Sequence, residues 1–254
     1  MHAPTLALAG ATGGSGTSRT AVELAAVGAR GGHDVVVIDA AFATQGLSEY
    51  VRGRIGSDLT ALITDDTGAS LSTATYPITV GDDGGTNGLP GQADVVPARA
   101  PFERVARAKT AEAARKLERR IDEAATAYDA VIVDVPPVAS NEAVAAVTTA
   151  DRVGAVRPAT PHGRDALQRL RGRIADVGGG VDTTVAVRHG AATEAVDGVD
   201  LVIPRTDPAV ARAPVTADGS GAYTRVMADA YADLFDAVVD LDIEDDGLIE
   251  RLRN

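Results

Sequence analysis

The chain has 254 residues, of which 45% are hydrophobic, and this length is enough to bury a full core within one domain. It contains no cysteine, which excludes both a disulfide-stapled scaffold and a cysteine-based metal site. The formal net charge is −12, and among the 24 basic residues only Lys109 and Lys116 are lysine, so we expect an acidic surface that repels nucleic acid.

Predicted strands and helices alternate along the chain. Thr5–Ala9 is a short apolar run, and a glycine-rich loop follows it. Thr20–Arg30 has apolar residues at helical spacing, and Val35–Ile38 is β-branched. Together these segments predict one βαβ unit. Further strands are predicted over Ala93–Pro97, Ala130–Val133, Arg152–Val156, Thr183–Val187 and Leu201–Ile203. Further helices are predicted over Gln45–Val51, Leu59–Ile63, Thr110–Ala127, Asn141–Thr149, Gly163–Val177 and Ala222–Val239. The Gly/Asp-rich segment Gly81–Gln92 is expected to be a mobile loop.

This alternation predicts a doubly wound α/β fold of three layers, with helices on both faces of a mostly parallel sheet. In such a sheet, ligands bind beyond the carboxyl ends of the strands. Because the sequence shows neither an internal repeat nor a strong linker, we expect a single domain over residues 1–240. An acidic tail with a short apolar end follows over residues 241–254.

The segment between the first strand and the first helix, Gly10–Thr20, is rich in glycine. Backbone N–H groups and the helix dipole favour an anion at such a position. Four glycines within seven residues weaken the first turn of a helix, because glycine loses much conformational freedom on folding. A turn that binds no ligand does not require so many glycines. The segment therefore predicts a phosphate site, and a tight turn without a ligand is the alternative.

Two classes of phosphate ligand suit this loop. Gly10, Gly13 and Gly16 have the spacing G-x-x-G-x-x-G, which resembles atypical short-chain dehydrogenases and implies NAD(P), with Asp39 on the ribose hydroxyls. The stretch Thr12–Ser18 instead resembles K-G-G-x-G-K-[ST], the deviant Walker A loop of ParA/MinD-type P-loop ATPases. Its glycines and final hydroxyl match that pattern, whereas neither lysine is present.

The rest of the chain favours the ParA/MinD resemblance. The stretch Tyr128–Pro137 resembles the Walker B region of that family, an apolar strand that ends in D-x-P-P. Three more segments resemble the family in the expected order: Ala93–Ala98, Ala150–Val153 and Ile203–Pro208. Neither lysine has a tyrosine at the Tyr-x-x-x-Lys spacing that dehydrogenases use. The resemblance thus runs from Thr5 to about Phe235 and implies a P-loop NTPase-like fold.

The resemblance implies a site for ATP or ADP with Mg²⁺. The predicted nucleotide-binding residues are Gly13, Gly14, Ser15, Gly16, Thr17, Ser18 and Arg19 in the loop, with Pro204 and Asp207 on the adenine side. Ser18, Asp39 and Asp134 match the groups that hold Mg²⁺ directly or through water, and the two carboxylates are also the predicted catalytic residues.

The chain departs from the family pattern at positions that take part in phosphate binding and hydrolysis in the family. Thr17 takes the place of the lysine that spans the β- and γ-phosphates, and Thr12 takes the place of the signature lysine that reaches the partner's nucleotide. Ala41 stands where many members carry a second acidic residue, and Arg188-His189 stands where an asparagine often reads adenine. Arg19 is the only cation of the loop and is displaced from the lysine position, so a solvated first-turn side chain is its other interpretation. We expect slow hydrolysis or none.

Partners and location follow from the same resemblance. It implies a homodimer or a heterodimer with a ParA/MinD paralogue, acting as a switch or scaffold in positioning, partitioning or cell division. A protein that binds no ligand and keeps a relic loop is a further alternative. Gly247–Arg253 faintly resembles the membrane-targeting tail of MinD, although a solvated terminus is favoured.

The composition also bears on the environment of the protein. No stretch approaches the roughly 18 apolar residues of a spanning helix, and Met1–Ala9 has no basic region that leads into a long apolar run, so we expect a cytoplasmic protein. Scarce lysine and excess acid predict a halophilic source, where salt screens the self-repulsion of the chain.

Overall fold

Eight strands form one sheet in the part of the chain that this computed structural model describes, residues 2–65, 68–79, 86–190 and 196–241. The strands are β1 (Thr5–Gly10), β2 (Val35–Asp39), β3 (Tyr76–Pro77), β4 (Ala93–Val96), β5 (Ala130–Val135), β6 (Arg152–Pro158), β7 (Thr183–Val187) and β8 (Leu201–Ile203). Their order across the sheet is β3-β4-β2-β5-β1-β6-β7-β8. All neighbours run parallel except β3, which pairs antiparallel with β4 at one edge.

Helices cover both faces of the sheet. They are α1 (Thr17–Arg30), α2 (Leu59–Thr64), α3 (Phe102–Ala108), α4 (Ala111–Ala127), α5 (Asn141–Thr149), α6 (Pro161–Asp176) and α7 (Ala222–Phe235). The helices α1 and α7 pack on one face, and α2 to α6 pack on the other. The prediction of a three-layer, doubly wound fold is therefore confirmed.

The central strands are buried along their whole length. Every residue of β1, β2 and β5 is buried, because helices cover both faces of a parallel sheet. Alternate residues of β1 serve the two layers: Leu6 and Leu8 pack with α1 and α7, and Ala7 and Ala9 pack against the opposite helices. This explains why the sequence signal of these strands is a continuous apolar run.

The strand order places a crevice at the carboxyl end of β1. From β1 the chain passes through α1 to β2, which lies beyond β5, and it returns later to β5 beside β1. From β5 it passes through α5 to β6 on the other side of β1. Ligands of open α/β sheets bind where the winding direction reverses in this way. The glycine-rich loop, which joins β1 to α1, lies at that point.

The opposite, amino-terminal edge of the sheet is tied together by five aspartates, each of which directly precedes a strand. We refer to them as the strand-entry aspartates. Each accepts a hydrogen bond from a backbone N–H at the start of a neighbouring strand. Asp34, Asp129, Asp151, Asp182 and Asp200 accept from Gln92, Asp34, Thr5, Val153 and Thr184, respectively, at N···O distances of 2.7–2.9 Å. They satisfy donors that lie at the ends of the ladders.

The structure differs from the predicted elements in several places, and the predicted helix Gln45–Val51 is a short 3₁₀ helix over Gly46–Tyr50. β3 and α3 are additional elements, and two residues of β3 are too few for an alternating pattern to show. The last helix ends at Phe235 rather than Val239, because Asp236 takes a left-handed conformation with φ of 50°. Arg152 holds this end, donating to the carbonyls of Asp233 and Leu234 at 3.0 Å and pairing with the Asp236 carboxylate.

The predicted loop Gly81–Gln92 and the C-terminal tail are only partly covered. Residues 81–85 and 242–254 lie outside the described residues. Within residues 86–92, Thr86 is buried and its hydroxyl donates to the carbonyl of Ile78 at 3.0 Å, whereas Asn87, Gly88, Pro90 and Gln92 are exposed. Within the described ranges, none of the helices combines the length and the apolar character that crossing a bilayer requires.

Candidate functional site

The glycine loop between β1 and α1 is held open by two glycines in left-handed conformations. Gly14 and Gly16 have φ of +72° and +87°, which side-chain-bearing residues rarely adopt. A Cβ on Gly16 would also lie 3.2 Å from Val187 Cγ1 and 3.3 Å from His189 Cε1. At Gly13 and Gly14 a Cβ would meet open space. The inner side of the loop therefore requires glycine at position 16, and its outer side is clear for a ligand.

Ser15 closes the loop from within. Its hydroxyl donates to the Thr12 carbonyl at 2.7 Å and accepts from the Thr12 N–H at 3.0 Å. Among the described residues no side chain caps α1, and its first turn contains no acidic residue. The helix thus presents backbone N–H groups to an anion at its N-terminus. Ser15 is nearly fully buried, so a ligand would meet the backbone of the loop rather than this hydroxyl.

Thr17, at the position of the missing phosphate-spanning lysine, packs backward onto the end of β1. A Cβ built on Gly10 would lie only 2.8 Å from Thr17 Oγ1, so the threonine side chain fills the space that Gly10 leaves. This short side chain brings no positive charge to the loop. Thr17 therefore contributes packing, and no cation, to the glycine loop.

Two buried carboxylates lie beside the start of α1. Asp39 and Asp134 are opposite each other where β2 pairs with β5, and they are 0% and 1% exposed. Asp39 accepts hydrogen bonds from the N–H groups of Ala41 at 3.0 Å and Ala98 at 3.3 Å. The Ser18 hydroxyl donates to Asp134 at 2.5 Å.

The electrostatics of this pair suit a bound divalent cation. Burial raises the pKa of both carboxyls, and the negative charge of Asp134 raises the pKa of Asp39 further. Carboxylate and hydroxyl oxygens are the ligands that Mg²⁺ prefers. A divalent cation held by Asp39, Asp134 and Ser18 would remove the cost of two buried charges, so these donors fit Mg²⁺.

Arg19 lies neither on the phosphate loop nor free in solvent. Its Nε donates to the fully buried Glu23 at 2.7 Å, and Nη1 lies 3.4 Å from the Ala209 carbonyl. Glu23 also accepts from the N–H groups of Val215 at 3.0 Å and Thr216 at 2.9 Å. The arginine therefore points away from the loop, toward the segment that precedes α7, and its side chain is 16% exposed.

A cavity of about 270 Å³ opens beside Gly16. The residues that line it are Gly16, Arg19, Thr20, Tyr50, Val187–His189, Ile203–Pro208 and Tyr223. This volume is close to the lower end of the roughly 300–1,000 Å³ that is usual for ligand sites. The cavity includes Pro204 and Asp207, the two residues predicted on the base side of a nucleotide.

Sequence reasoning missed the two tyrosines of the cavity. Tyr50 lies in a short 3₁₀ helix after β2, and Tyr223 lies in the first turn of α7, so neither belongs to a motif. Burial raises the pKa of Tyr50 to about 12 and also raises that of Tyr223, which keeps both phenols protonated. The scarcity of aromatic residues, 3% of the chain, was the one available signal.

A comparison with known families now adds to this geometry. A family model described as AAA domain matches residues 3–186, a stretch that contains the glycine loop, Asp39 and Asp134. The chain belongs to this AAA-domain family and is of the ParA/MinD type. The family resemblance predicted from the motifs is thus confirmed.

Solved structures of ParA/MinD-type proteins share the fold. The cell division ATPase MinD of Pyrococcus furiosus is 16% identical, with a TM-score of 0.73 over 92% of this chain and 98% of that chain. The ParA family ATPase of Chlorobium tepidum is 17% identical, with a TM-score of 0.70 over 90% and 98%. The septum site-determining protein MinD of Pyrococcus horikoshii, complexed with Mg-ADP, is 18% identical, with a TM-score of 0.64 over 80% and 82%. No curated protein sequence matches the chain.

The alternative NAD(P) site gains no support from this ParA/MinD-type arrangement. That interpretation needs the Asp39 carboxylate to face ribose hydroxyls. Asp39 is instead fully buried against Asp134, and both of its oxygens accept backbone N–H groups.

Proposed function

We propose that this ParA/MinD-type protein binds a nucleoside di- or triphosphate together with Mg²⁺. The phosphates lie in the loop at Gly13–Ser18, and the base lies in the cavity beside Gly16. The observation that carries the proposal is the buried pair of Asp39 and Asp134 next to Ser18, since two adjacent buried carboxyl groups and a hydroxyl beside a glycine loop suit a divalent cation. The family resemblance implies ATP or ADP as the nucleotide.

Hydrolysis is proposed to be slow or absent. When bound, Mg²⁺ neutralises phosphate charge and stabilises the charge that develops in phosphoryl transfer. The loop adds no cation of its own, because Thr12 and Thr17 are neutral and Arg19 is held by Glu23. Loss of one well-placed stabilising group costs about 10²–10³ in rate.

A slow or inactive ATPase would act through the conformations that its bound nucleotide stabilises. The structural neighbours are a cell division ATPase and a ParA family ATPase, which supports a role as switch or scaffold in positioning, partitioning or cell division within the cytoplasm. We propose a homodimer or a heterodimer with a ParA/MinD paralogue as the working unit. Contact with a membrane through the C-terminal tail is the less favoured proposal.

Thermal unfolding in molar KCl, with Mg-ATP, Mg-ADP, GTP, NAD and NADP added separately, tests the proposal. A ligand that binds only the native state raises the transition temperature, and we expect this for nucleotides and not for dinucleotides. Asp134→Asn should remove the part of the shift that depends on Mg²⁺, whereas the exposed Asp122→Asn should retain it. Absence of a shift with every ligand would instead favour the relic loop.

The hydrolysis part has its own readout, the release of inorganic phosphate under saturating nucleotide. We expect turnover near background for the wild type. Thr17→Lys restores a cation to the loop and should raise turnover by about tenfold or more. Wild-type turnover that is well above background and is abolished by Asp134→Asn would contradict an inactive ATPase.

A further inference from the structure

Two loops at the carboxyl edge of the sheet hold the Asp39 carboxylate. One loop follows β2 and the other follows β4, and the pairing of these strands ends at Ile38 and Val96, before either loop begins. The N–H of Ala41, in the first loop, donates to Oδ1 of Asp39 at 3.0 Å, and the N–H of Ala98, in the second, donates to Oδ2 at 3.3 Å. The orientation of the carboxylate therefore depends on how the two loops lie relative to each other.

The side chain of Gln45 joins these two loops. Its Nε2 donates to the carbonyl of Ala100 at 2.9 Å, and its Oε1 accepts from the N–H of the same residue at 3.0 Å. A primary amide can make both bonds because it carries a donor and an acceptor side by side. This pair of bonds connects the two chain segments beyond the point where β2 and β4 stop pairing.

The backbone of Gln45 also indicates a fixed position. Its φ is 53°, in the left-handed region, and Asp236 is the only other non-glycine residue of the described chain with a positive φ. A residue with a side chain adopts this conformation at a cost in free energy, and surrounding contacts must hold it there. A glycine would remove that cost, but it would also remove the amide that binds Ala100.

Resting on the proposed function, we propose that Gln45 is a positioning residue for the Mg²⁺ site, because it locks together the two loops that orient Asp39. The loop that contains Gln45 also packs on Ser18, since a Cβ built on Gly46 would lie 3.5 Å from Ser18 Oγ. Gln45 itself is not a ligand, and within the described chain its side-chain amide bonds only Ala100. Groups behind the ligands of a metal ion fix their orientation, and loss of such a group typically weakens metal binding by about 10–100-fold.

The first test measures hydrogen exchange of single amides by NMR in the Mg²⁺-free protein. Gln45→Gly removes the amide without straining the backbone. The N–H of Ala98 is the diagnostic probe, because its acceptor is Asp39 rather than Gln45, and we expect it to exchange about tenfold faster in the variant. The matched control is Asp236→Gly, which also replaces a left-handed residue whose side chain makes a bond, and it should leave Ala98 unchanged. Unchanged exchange of Ala98 in Gln45→Gly would overturn the inference.

The second test measures the dissociation constant of ADP in Mg²⁺ and in chelator by titration calorimetry. We expect Gln45→Gly to weaken binding about tenfold in Mg²⁺ and to leave binding in chelator unchanged. Gln45→Glu keeps an acceptor for the Ala100 N–H, so its effect should lie between those of wild type and Gln45→Gly. Equal losses in Mg²⁺ and in chelator would mean a general structural role, which overturns the inference and leaves the proposed function standing. Absence of ADP binding by the wild type under both conditions would overturn the proposed function itself, and with it this role of Gln45.

Discussion

Gly16 is the residue at which the phosphate loop and the cavity meet. Its φ of +87° and the approach of Val187 and His189 both exclude a side chain. We expect Gly16→Ala to lower the free energy of unfolding by about 1–2 kcal/mol and to weaken nucleotide binding. Gly13→Ala is the matched control, because a Cβ there meets open space, and it should be nearly neutral in urea unfolding. Equal effects of the two substitutions would contradict this account.

Asp39 and Asp134 make the stability of the Mg²⁺-free protein depend on pH. Burial raises the pKa of both, so the native state still holds protons after the unfolded chain has lost them. The contribution of this pair to the free energy of unfolding therefore falls as the pH rises from the ordinary carboxyl pKa to the raised pKa values.

Asp134→Asn tests this dependence, since it removes one charge, keeps an acceptor for Ser18 and offers a donor to Asp39. We expect the variant to lose stability less than the wild type as pH rises from about 4 to 8 in chelator-treated buffer. Urea unfolding at several pH values measures this, with Asp122→Asn as control. Parallel curves for wild type and Asp134→Asn would contradict the prediction.

At the scale of elements, the strand-entry aspartates fix how neighbouring strands begin. Asp200 accepts the N–H and the hydroxyl of Thr184 at 2.7 and 2.6 Å, and these bonds lower its pKa. We expect Asp200→Ala to reduce stability by about 1 kcal/mol at neutral pH. Because the pKa of Asp200 is lowered in the native state, its contribution to stability is lost as the pH falls through that pKa. The difference in stability between Asp200→Ala and the wild type should therefore vanish in strong acid. Asp218→Ala, an exposed aspartate, is the control, and an equal loss there would contradict the role of Asp200.

The elements that sequence reasoning found are those whose signal is local. The sequence shows directly the apolar runs of β1, β2 and β5 and the amphipathic pattern of α4. Burial on both faces of a strand, or along one stripe of a helix, dictates the residue types there. β3 forms only because β4 lies beside it, and α7 ends early because Arg152, far away in sequence, binds its last carbonyls. Contacts between residues far apart in the chain leave no periodic pattern in the sequence.

For the whole molecule, the excess of acid predicts a dependence on salt. With a net charge of −12, self-repulsion opposes the compact state, and the Debye length shrinks to roughly 3 Å at 1 M salt. We expect the thermal transition to rise markedly from 50 mM to 2 M KCl. Equal transitions and equal solubility at both concentrations would contradict a halophilic protein.

The site as a whole was predictable where it follows the motif order and unpredictable where it depends on packing. The loop, Asp39 and Asp134 meet because parallel strands end at one edge, which the sequence order implies. The turn of Arg19 toward Glu23 and the presence of Tyr50 and Tyr223 in one cavity depend on the docking of α7 and of the segment before it. No spacing rule encodes that docking.

The strand-entry aspartates have an evolutionary consequence. They anchor the sheet at its amino-terminal edge, whereas every residue proposed to touch nucleotide lies at the carboxyl edge. The strand-entry aspartates therefore stabilise the fold without taking part in the proposed nucleotide site. In a lineage whose glycine loop changes, these five anchors of the sheet can stay as they are.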